Sequence, residues 1–231
     1  MGSVTAAKTS TSTVGTVTET VPTPAGEARV TWHRAPRARA VLALGHGAGG
    51  GIEAPDLRAL AAALPGRGVT VALVEQPWRV AGKKVAPAPK TLDAAWTALW
   101  PALTAPGLPV VAGGRSAGAR VACRTARELG AAAVLALAFP LHPPGKPERS
   151  RAEELLAAGV PTLVVQGSRD PFGRPEEFPP SGESADPPPR LVPVNHGDHG
   201  FAVPKTAGIS QEEALAVITE AVAEWLEETL G

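Results

Sequence analysis

The sequence has a single cysteine, no excess of charge of either sign and no long apolar run. Cys123 alone can form neither an internal disulfide nor a cysteine-based zinc site. Because 22 Lys and Arg residues balance 22 Asp and Glu residues, bulk charge attracts neither nucleic acid nor an anionic lipid surface. No apolar run approaches the roughly 18 residues that span a membrane. We therefore expect a cytoplasmic protein that binds neither nucleic acid nor membranes.

Length and composition predict one folded domain. The 231 residues suit a single domain, and the 44% of hydrophobic residues can supply its core. Residues 1–13 are rich in Ser, Thr and Ala, and they lack both helical periodicity and the apolar core of a signal peptide. They are predicted to be a disordered tail before a domain over residues 14–231. The abundance of Ala, Arg and Pro is typical of GC-rich bacterial genomes.

Strands and helices alternate after the tail. Residues 16–21 and 28–33 predict two strands, and in the second Ala28, Val30 and Trp32 alternate with polar residues, as in a strand near a sheet edge. Short apolar runs then predict buried strands at residues 40–44, 69–74, 109–112, 133–139, 162–165 and 191–194. Helical patterns between these runs indicate an α/β fold with a mostly parallel central sheet and helices on both faces. No insertion is long enough for a separate cap domain.

Three sequence signals mark helix starts. Pro55 suits the first position of a helix. Ser150 with Glu153, and Ser210 with Glu213, match the capping box that begins many helices. Further helices are predicted over residues 91–103 and 117–129.

The segment Gly114–Gly118 fits the pattern G-x-S-x-G, with Ser116 at its centre. Because a predicted strand precedes it and a predicted helix follows, Ser116 should occupy a sharp turn that lifts its hydroxyl above the sheet. The alternative is a glycine-rich turn whose serine only caps the helix. A nucleophilic serine also needs a base and an acid, which in this arrangement follow later strands.

Two later loops carry the candidate acid and base. Asp170 follows the strand at residues 162–165, and it would orient an imidazole and stabilise its cation; the alternative is an ordinary loop carboxylate. The next strand leads to both His196 and His199. We favour His199, because the loop needs several residues to turn back toward the serine, and His196 is then expected to brace the loop or line the pocket. A metal site here lacks a second cluster of ligands.

A glycine-rich loop, residues 45–51, follows the first buried strand. Its backbone could approach a substrate carbonyl, so we assign the oxyanion hole to the N–H groups of Ala117 and Ala48, with Gly47 as the alternative to Ala48. His46 is expected to brace this loop.

The same loop also spells G-x-G-x-x-G, which can mark a dinucleotide site with Glu75 as the ribose-binding acid. Two observations disfavour this alternative. Pro55 indicates that the helix begins too late for the third glycine, and two strands precede the first buried one. We therefore expect no cofactor.

The remaining loops are expected to shape the pocket. Arg115 is predicted to pair with Glu75, at the end of the neighbouring strand, and to brace the turn at Ser116. Residues 171–190 contain seven prolines, which predicts an extended flap beside Asp170. The residues expected around the pocket are His46, Gly47, Glu75, Arg115, His142 and His196.

Together, the serine turn, the acid loop and the histidine loop resemble the α/β-hydrolase fold. The segments around His46, Ser116, Asp170 and His199, and the stretch 139–147, are similar to a small cap-less branch. That branch includes bacterial dienelactone-hydrolase-like proteins and the hydrolase-like domain of an animal chromatin-complex (NSL) subunit. Dienelactone hydrolases proper use a cysteine where this chain has Ser116.

The resemblance implies Ser116 as nucleophile, Asp170 as acid and His199 as base. The expected activity is that of a serine hydrolase that cleaves a small ester, thioester or lactone. The alternative, raised by the animal relative, is a hydrolase-fold interaction protein with little or no catalysis.

Overall fold

The computed structural model describes residues 16–180 and 187–231. The predicted tail, residues 1–13, and part of the proline-rich segment lie outside the described residues. The described strands are β1 Thr16–Thr23, β2 Gly26–His33, β3 Ala40–Gly45, β4 Val69–Glu75, β5 Val110–Arg115, β6 Ala133–Leu137, β7 Thr162–Gly167 and β8 Arg190–Val194. The described α-helices are α1 Pro55–Ala63, α2 Pro77–Val80, α3 Pro89–Thr104, α4 Ala117–Leu129, α5 Ala152–Leu156 and α6 Gln211–Leu230.

All eight strands belong to one sheet, in the order β1-β2-β4-β3-β5-β6-β7-β8. Strand β2 pairs antiparallel with both β1 and β4, and every other neighbouring pair is parallel. The predicted position of β2 near one edge is confirmed. Because β3 to β8 run in one direction, their carboxyl ends meet at one edge of the sheet, where an open α/β sheet places its ligand site.

Two hydrophobic cores cover the two faces of the sheet, which confirms the predicted layers. Along β3, Val41 and Ala43 enter the core that contains α3 and α4, whereas Leu42 and Leu44 enter the core that contains α1 and α6. This alternation follows from the two-residue period of a strand. No element of the described chain forms a separate cap above the carboxyl edge.

Three glycines let the backbones cross closely at the middle of this edge. A Cβ added to Gly114 would lie 2.6 Å from the carbonyl oxygen of Gly45, and one added to Gly118 would lie 2.5 Å from the same atom. Gly45 and Gly114 are direct partners in the parallel pair of β3 and β5. The start of α4 therefore packs directly on the ends of both strands, which fixes the turn between β5 and α4.

Most of the predicted boundaries hold, and two local predictions are wrong. The capping box of α6 is present, because the Ser210 hydroxyl accepts a bond of 3.1 Å from Glu213 N–H and the Glu213 carboxylate accepts one of 2.6 Å from Ser210 N–H. The capping box at Ser150 is absent: α5 begins at Ala152, and Ser150 Oγ accepts from the N–H of Ala152 instead. Strand β6 ends at Leu137, because Ala138 turns the chain with a φ of 44°.

Candidate active site

Ser116 lies between β5 and α4, at the sharp turn that the sequence predicts. Its φ of 52° and ψ of −109° are strained for a residue with a Cβ. Its N–H donates a hydrogen bond of 2.9 Å to the carbonyl of Leu137, so the turn is held to the neighbouring strand. The hydroxyl does not cap α4. The interpretation of Ser116 as a mere helix cap is therefore wrong, and the hydroxyl is free for another partner.

That partner is His199. Nε2 of His199 lies 3.0 Å from Oγ of Ser116, and Nδ1 lies 2.8 Å from Oδ2 of Asp170. The carboxylate can only accept, so Nδ1 carries the proton that it donates to Asp170, and Nε2 is the acceptor for the Ser116 hydroxyl. The three side chains form a continuous chain of hydrogen bonds, although 83 residues separate His199 from Ser116 in sequence.

Asp170 is fully buried, and its surroundings supply the donors that a buried carboxylate needs. Besides His199, Oδ2 accepts a bond of 2.9 Å from Nε2 of Gln166, and Oδ1 accepts one of 2.8 Å from the N–H of Phe172. Gln166 Nε2 also donates to the carbonyl of Gly173 at 2.8 Å. No role for Gln166 is predicted from the sequence. An amide side chain within an otherwise apolar strand was the signal that could have found it.

Phe172 is a second site residue whose role the sequence does not predict. Its ring centroid lies 4.3 Å from that of His199, and the two planes meet at 33°. Phe172 belongs to the first part of the proline-rich segment, so this segment does begin beside Asp170, as predicted. The contact covers one face of the imidazole with an aromatic ring.

His196 does not compete with His199 for this position. It is exposed, and its φ of 60° places it in a left-handed turn just after β8. Its N–H donates a hydrogen bond of 2.8 Å to the hydroxyl of Ser168. This bond joins the acid loop to the histidine loop through the main chain of His196, and no hydrogen bond of its imidazole within the described residues accompanies it.

The predicted oxyanion donors lie on a narrow crevice beside Ser116. Ala48, Ala117 and Gly47 line this crevice, together with side chains of α3 and α4 and of the segment after β4. A Cβ added to Gly47 would lie 3.4 Å from Cβ of Ser116, so the glycine-rich loop passes close to the serine. This geometry is compatible with an oxyanion hole, which stays a prediction.

His46 is buried and ties the glycine-rich loop to the end of β4. Its Nε2 accepts a hydrogen bond of 3.1 Å from the N–H of Gln76, so Nδ1 must carry the proton that it donates to the carbonyl of Gly47 at 2.8 Å. Burial lowers the pKa of His46. A neutral imidazole therefore holds this loop in place.

The carboxylate that faces Arg115 is Asp56, and the predicted pairing with Glu75 is wrong. Nε of Arg115 lies 3.6 Å from Oδ2 of Asp56, and Nη2 donates a bond of 3.0 Å to the carbonyl of His199. Glu75 instead lies opposite Arg29 in the register of β2 and β4. Arg115 is the last residue of β5, and its side chain extends toward α1 and the histidine loop rather than toward β4.

His142 lies in the loop after β6 and contacts the proline-rich segment. Its Nε2 lies 2.7 Å from the Glu177 carboxylate, and its Nδ1 lies 2.9 Å from the carbonyl of Pro143. The bond to Pro143 raises the pKa of His142, and Glu177 raises it further. His142 therefore anchors this segment and makes no hydrogen bond to Ser116.

Two negative findings apply to the described parts of the chain. Over residues 16–180 and 187–231, no group of three or more His, Cys, Asp or Glu side chains is arranged to hold a metal ion. The helices found there are too short or too polar to cross a membrane.

The chain belongs to a family of proteins with an alpha/beta hydrolase domain, since the model of that family matches residues 38–227. No curated protein sequence matches the chain. A serine hydrolase without a lid from Xanthomonas campestris has a similar fold, with a TM-score of 0.71, 20% identity and coverage of 92% of this chain and 94% of the other. Dienelactone hydrolase from Anabaena variabilis is also similar, with a TM-score of 0.70, 19% identity and coverage of 94% and 99%.

A further similar structure is Est1E from Butyrivibrio proteoclasticus with bound ferulic acid. Its TM-score is 0.67 at 13% identity, with coverage of 90% of this chain and 99% of the other. At these levels of identity the likeness shows the α/β-hydrolase fold alone. The described residues of this chain likewise form no cap.

Proposed function

We propose that the protein is a serine hydrolase that cleaves a small ester, thioester or lactone through an acyl-enzyme on Ser116. The observation that carries this proposal is the chain of hydrogen bonds from Ser116 through His199 to Asp170, with distances of 3.0 and 2.8 Å. A serine hydroxyl needs such a base to act as a nucleophile, and the base needs an orienting acid.

In the proposed reaction, Nε2 of His199 takes the proton of the Ser116 hydroxyl as Oγ attacks the substrate carbonyl. Asp170 holds the ring in the required tautomer and stabilises the imidazolium that forms. The N–H groups of Ala48 and Ala117 would donate to the oxyanion. The imidazolium then returns its proton to the leaving group. A water molecule activated by the same histidine hydrolyses the acyl-enzyme and restores Ser116.

The crevice lined by Gly47, Ala48 and Ala117 has a volume of about 10 Å³, which is about the space of one water molecule. A wider space of about 130 Å³ shares Gln76 and Trp78 with it. Because the described chain has no cap above the carboxyl edge, a larger leaving group can extend into solvent. The dienelactone hydrolase and esterases with the same fold make lactones and carboxylic esters the first substrates to test.

A fluorophosphonate probe tests the nucleophile directly. We expect wild-type protein to be labelled at Ser116, and Ser116→Ala and His199→Ala to abolish labelling. His196→Ala, at the exposed neighbouring histidine, is the matched control and should be labelled at the wild-type rate. Folded wild-type protein that stays unlabelled would overturn the proposal and favour a hydrolase-fold interaction protein without catalysis.

A panel of p-nitrophenyl esters, acyl-CoAs and lactones then defines the substrate. The dependence of kcat/KM on chain length, from acetyl to octanoyl esters, measures the size of the acyl group that the site accepts. The expected partner is a small acyl compound rather than nucleic acid or a membrane. The expected location is the cytoplasm.

A further inference from the structure

The guanidinium of Arg115 connects two parts of the chain that are distant in sequence. Its Nη2 donates a hydrogen bond of 3.0 Å to the main-chain carbonyl of His199, and its Nε lies 3.6 Å from Oδ2 of Asp56 in α1. The same group packs on Gly200, where an added Cβ would lie 3.2 Å from Nη2. Arg115 therefore joins the start of α1 to the histidine loop, directly beside the turn that carries Ser116.

Asp56 is an unusual residue to find in this position. Its side chain is fully buried, and within the described residues neither carboxylate oxygen makes a hydrogen bond of good geometry. Burial raises the pKa of Asp56, whereas the Arg115 charge and the N–H groups at the start of α1 lower it. Arg115 provides the positive charge that a buried carboxylate needs as compensation.

Stability alone is a poor explanation for this pair. At 3.6 Å the contact is long for an ion pair, and Nε of Arg115 is itself buried without a hydrogen-bond partner in the described chain. Replacing a buried ion pair by apolar side chains is often neutral or stabilising. The pair fixes the guanidinium of Arg115, and the Nη2 end of that group hydrogen-bonds the carbonyl of His199.

We propose that Asp56 and Arg115 form a positioning pair for His199: Asp56 fixes the guanidinium, and the guanidinium holds the His199 carbonyl so that the imidazole stays within reach of the Ser116 hydroxyl. The inference rests on the proposed hydrolase function. Neither side chain hydrogen-bonds Oγ of Ser116 or the imidazole in the described residues, so both act through the backbone of His199. A displacement of reacting groups by about 1 Å can cost on the order of 100-fold in rate.

Four variants test the proposal: Arg115→Met, Arg115→Lys, Asp56→Ala and the double variant Asp56→Ala with Arg115→Met. For each, kcat and KM with a short-chain ester, the rate of fluorophosphonate labelling and the Tm are measured. We expect Arg115→Met to lower both kcat and the labelling rate by about tenfold to 100-fold, with little change in KM. Arg115→Lys keeps the charge and one possible contact, and it should recover part of the loss.

The double variant separates positioning from stability. It leaves no unpaired buried charge, so its Tm should return close to the wild-type value, while kcat stays as low as in Arg115→Met. Arg120→Met is the matched control: Arg120, on α4, is also partly buried, and its guanidinium pairs with Glu154 on α5 rather than with His199. It should keep wild-type kcat.

The measured Tm and kcat values distinguish a positioning role of the Asp56–Arg115 pair from a purely structural one. If the double variant recovers both Tm and kcat, the pair is only structural and the proposal is overturned. The same conclusion follows if Arg115→Met keeps wild-type kcat. Wild-type protein that is neither labelled nor active would overturn the hydrolase function together with this inference, whereas labelled wild-type protein with unimpaired Arg115 variants overturns the inference alone.

Discussion

The ring of Phe172 lies 4.3 Å from the imidazole of His199, measured between centroids. Phe172 also donates its N–H to Asp170 over 2.8 Å, so one residue contacts both His199 and the carboxylate that hydrogen-bonds it. The beginning of the proline-rich segment is thus part of the candidate site rather than a peripheral loop.

The variant Phe172→Ala should weaken catalysis without unfolding the protein. An aromatic pair contributes about 0.5–1.5 kcal/mol beyond its buried area, and about 1.4 kcal/mol corresponds to tenfold in rate. We therefore expect kcat to fall by about twofold to tenfold, because the imidazole gains freedom to rotate. Steady-state kinetics measure this effect. Phe178→Ala, at a ring that packs against Phe139 and not His199, is the control and should leave kcat unchanged.

Gln166→Leu should reduce both stability and activity. The variant keeps the approximate size of the side chain but removes the amide that donates to Asp170 and to the carbonyl of Gly173. A buried acceptor without its donor costs about 1–3 kcal/mol, which urea denaturation would measure. We also expect a lower kcat at saturating substrate, because Asp170 loses the hydrogen bond from Gln166. Unchanged stability and unchanged kcat together would show that Gln166 supports neither.

Gly118→Ala should be strongly destabilising. The new Cβ would lie 2.5 Å from the carbonyl oxygen of Gly45, and backbone atoms cannot yield as a flexible side chain does. Overpacking of this kind costs typically about 1–3 kcal/mol. Thermal unfolding checks the prediction against Gly66→Ala, where an added Cβ meets nothing within 4 Å and no positive φ is involved. Equal Tm values for the two variants would contradict the close crossing.

Two histidines should give the stability of the protein opposite dependences on pH. Burial lowers the pKa of His46 below 6.5, so its contribution is complete above that value and is lost as pH falls through the folded-state pKa. The pKa of His142 is raised above 6.5 by its bonds to Pro143 and Glu177, so its contribution is complete below that value and is lost as pH rises.

Urea denaturation between pH 5 and 8 measures both effects. Compared with wild type, His46→Gln should lose less stability on acidification, because no buried imidazole then has to be protonated. His142→Gln should show its largest deficit at the acidic end of the range and a smaller one at pH 8. Parallel curves of unfolding free energy against pH for wild type and both variants would refute the lowered pKa of His46 and the raised pKa of His142.

Local pattern was sufficient to predict the strands, the turn at Ser116 and that His199, rather than His196, lies within hydrogen-bond distance of Ser116. Apolar runs, small residues around a serine and the length of the loop after β8 are properties of adjacent residues. The partner of Arg115 was predicted wrongly, because β3 separates β4, which carries Glu75, from β5, while Asp56 lies on a helix packed against the sheet. Only packing across that interface decides which carboxylate Arg115 meets.

The local pattern marks Gln166 as an amide in a largely apolar strand, but it cannot name the partners of that amide. This amide contacts Asp170 and main-chain carbonyls of two separate segments, and these meet only in the folded chain. At Ser150 the capping pattern was present, but Ser150 is extended after the short 3-10 helix Pro147–Arg149, and α5 begins later, at Ala152. A pattern of two residues cannot specify how the preceding segment enters a helix.

The acid loop and the histidine loop are interlocked by their main chains. A Cβ added to Gly167 would lie 2.5 Å from the carbonyl oxygens of both Gly197 and Asp198, and the N–H of Arg169 donates to the Gly197 carbonyl at 2.8 Å. Asp170 and His199 are thus carried by one rigid unit at the outer strands β7 and β8, whereas Ser116 is carried by the sheet centre. Fraying of the outer strands on heating would separate the two halves of the site while the centre stays folded. The proposed hydrolase activity should therefore be lost at a temperature below the global melting point of the protein.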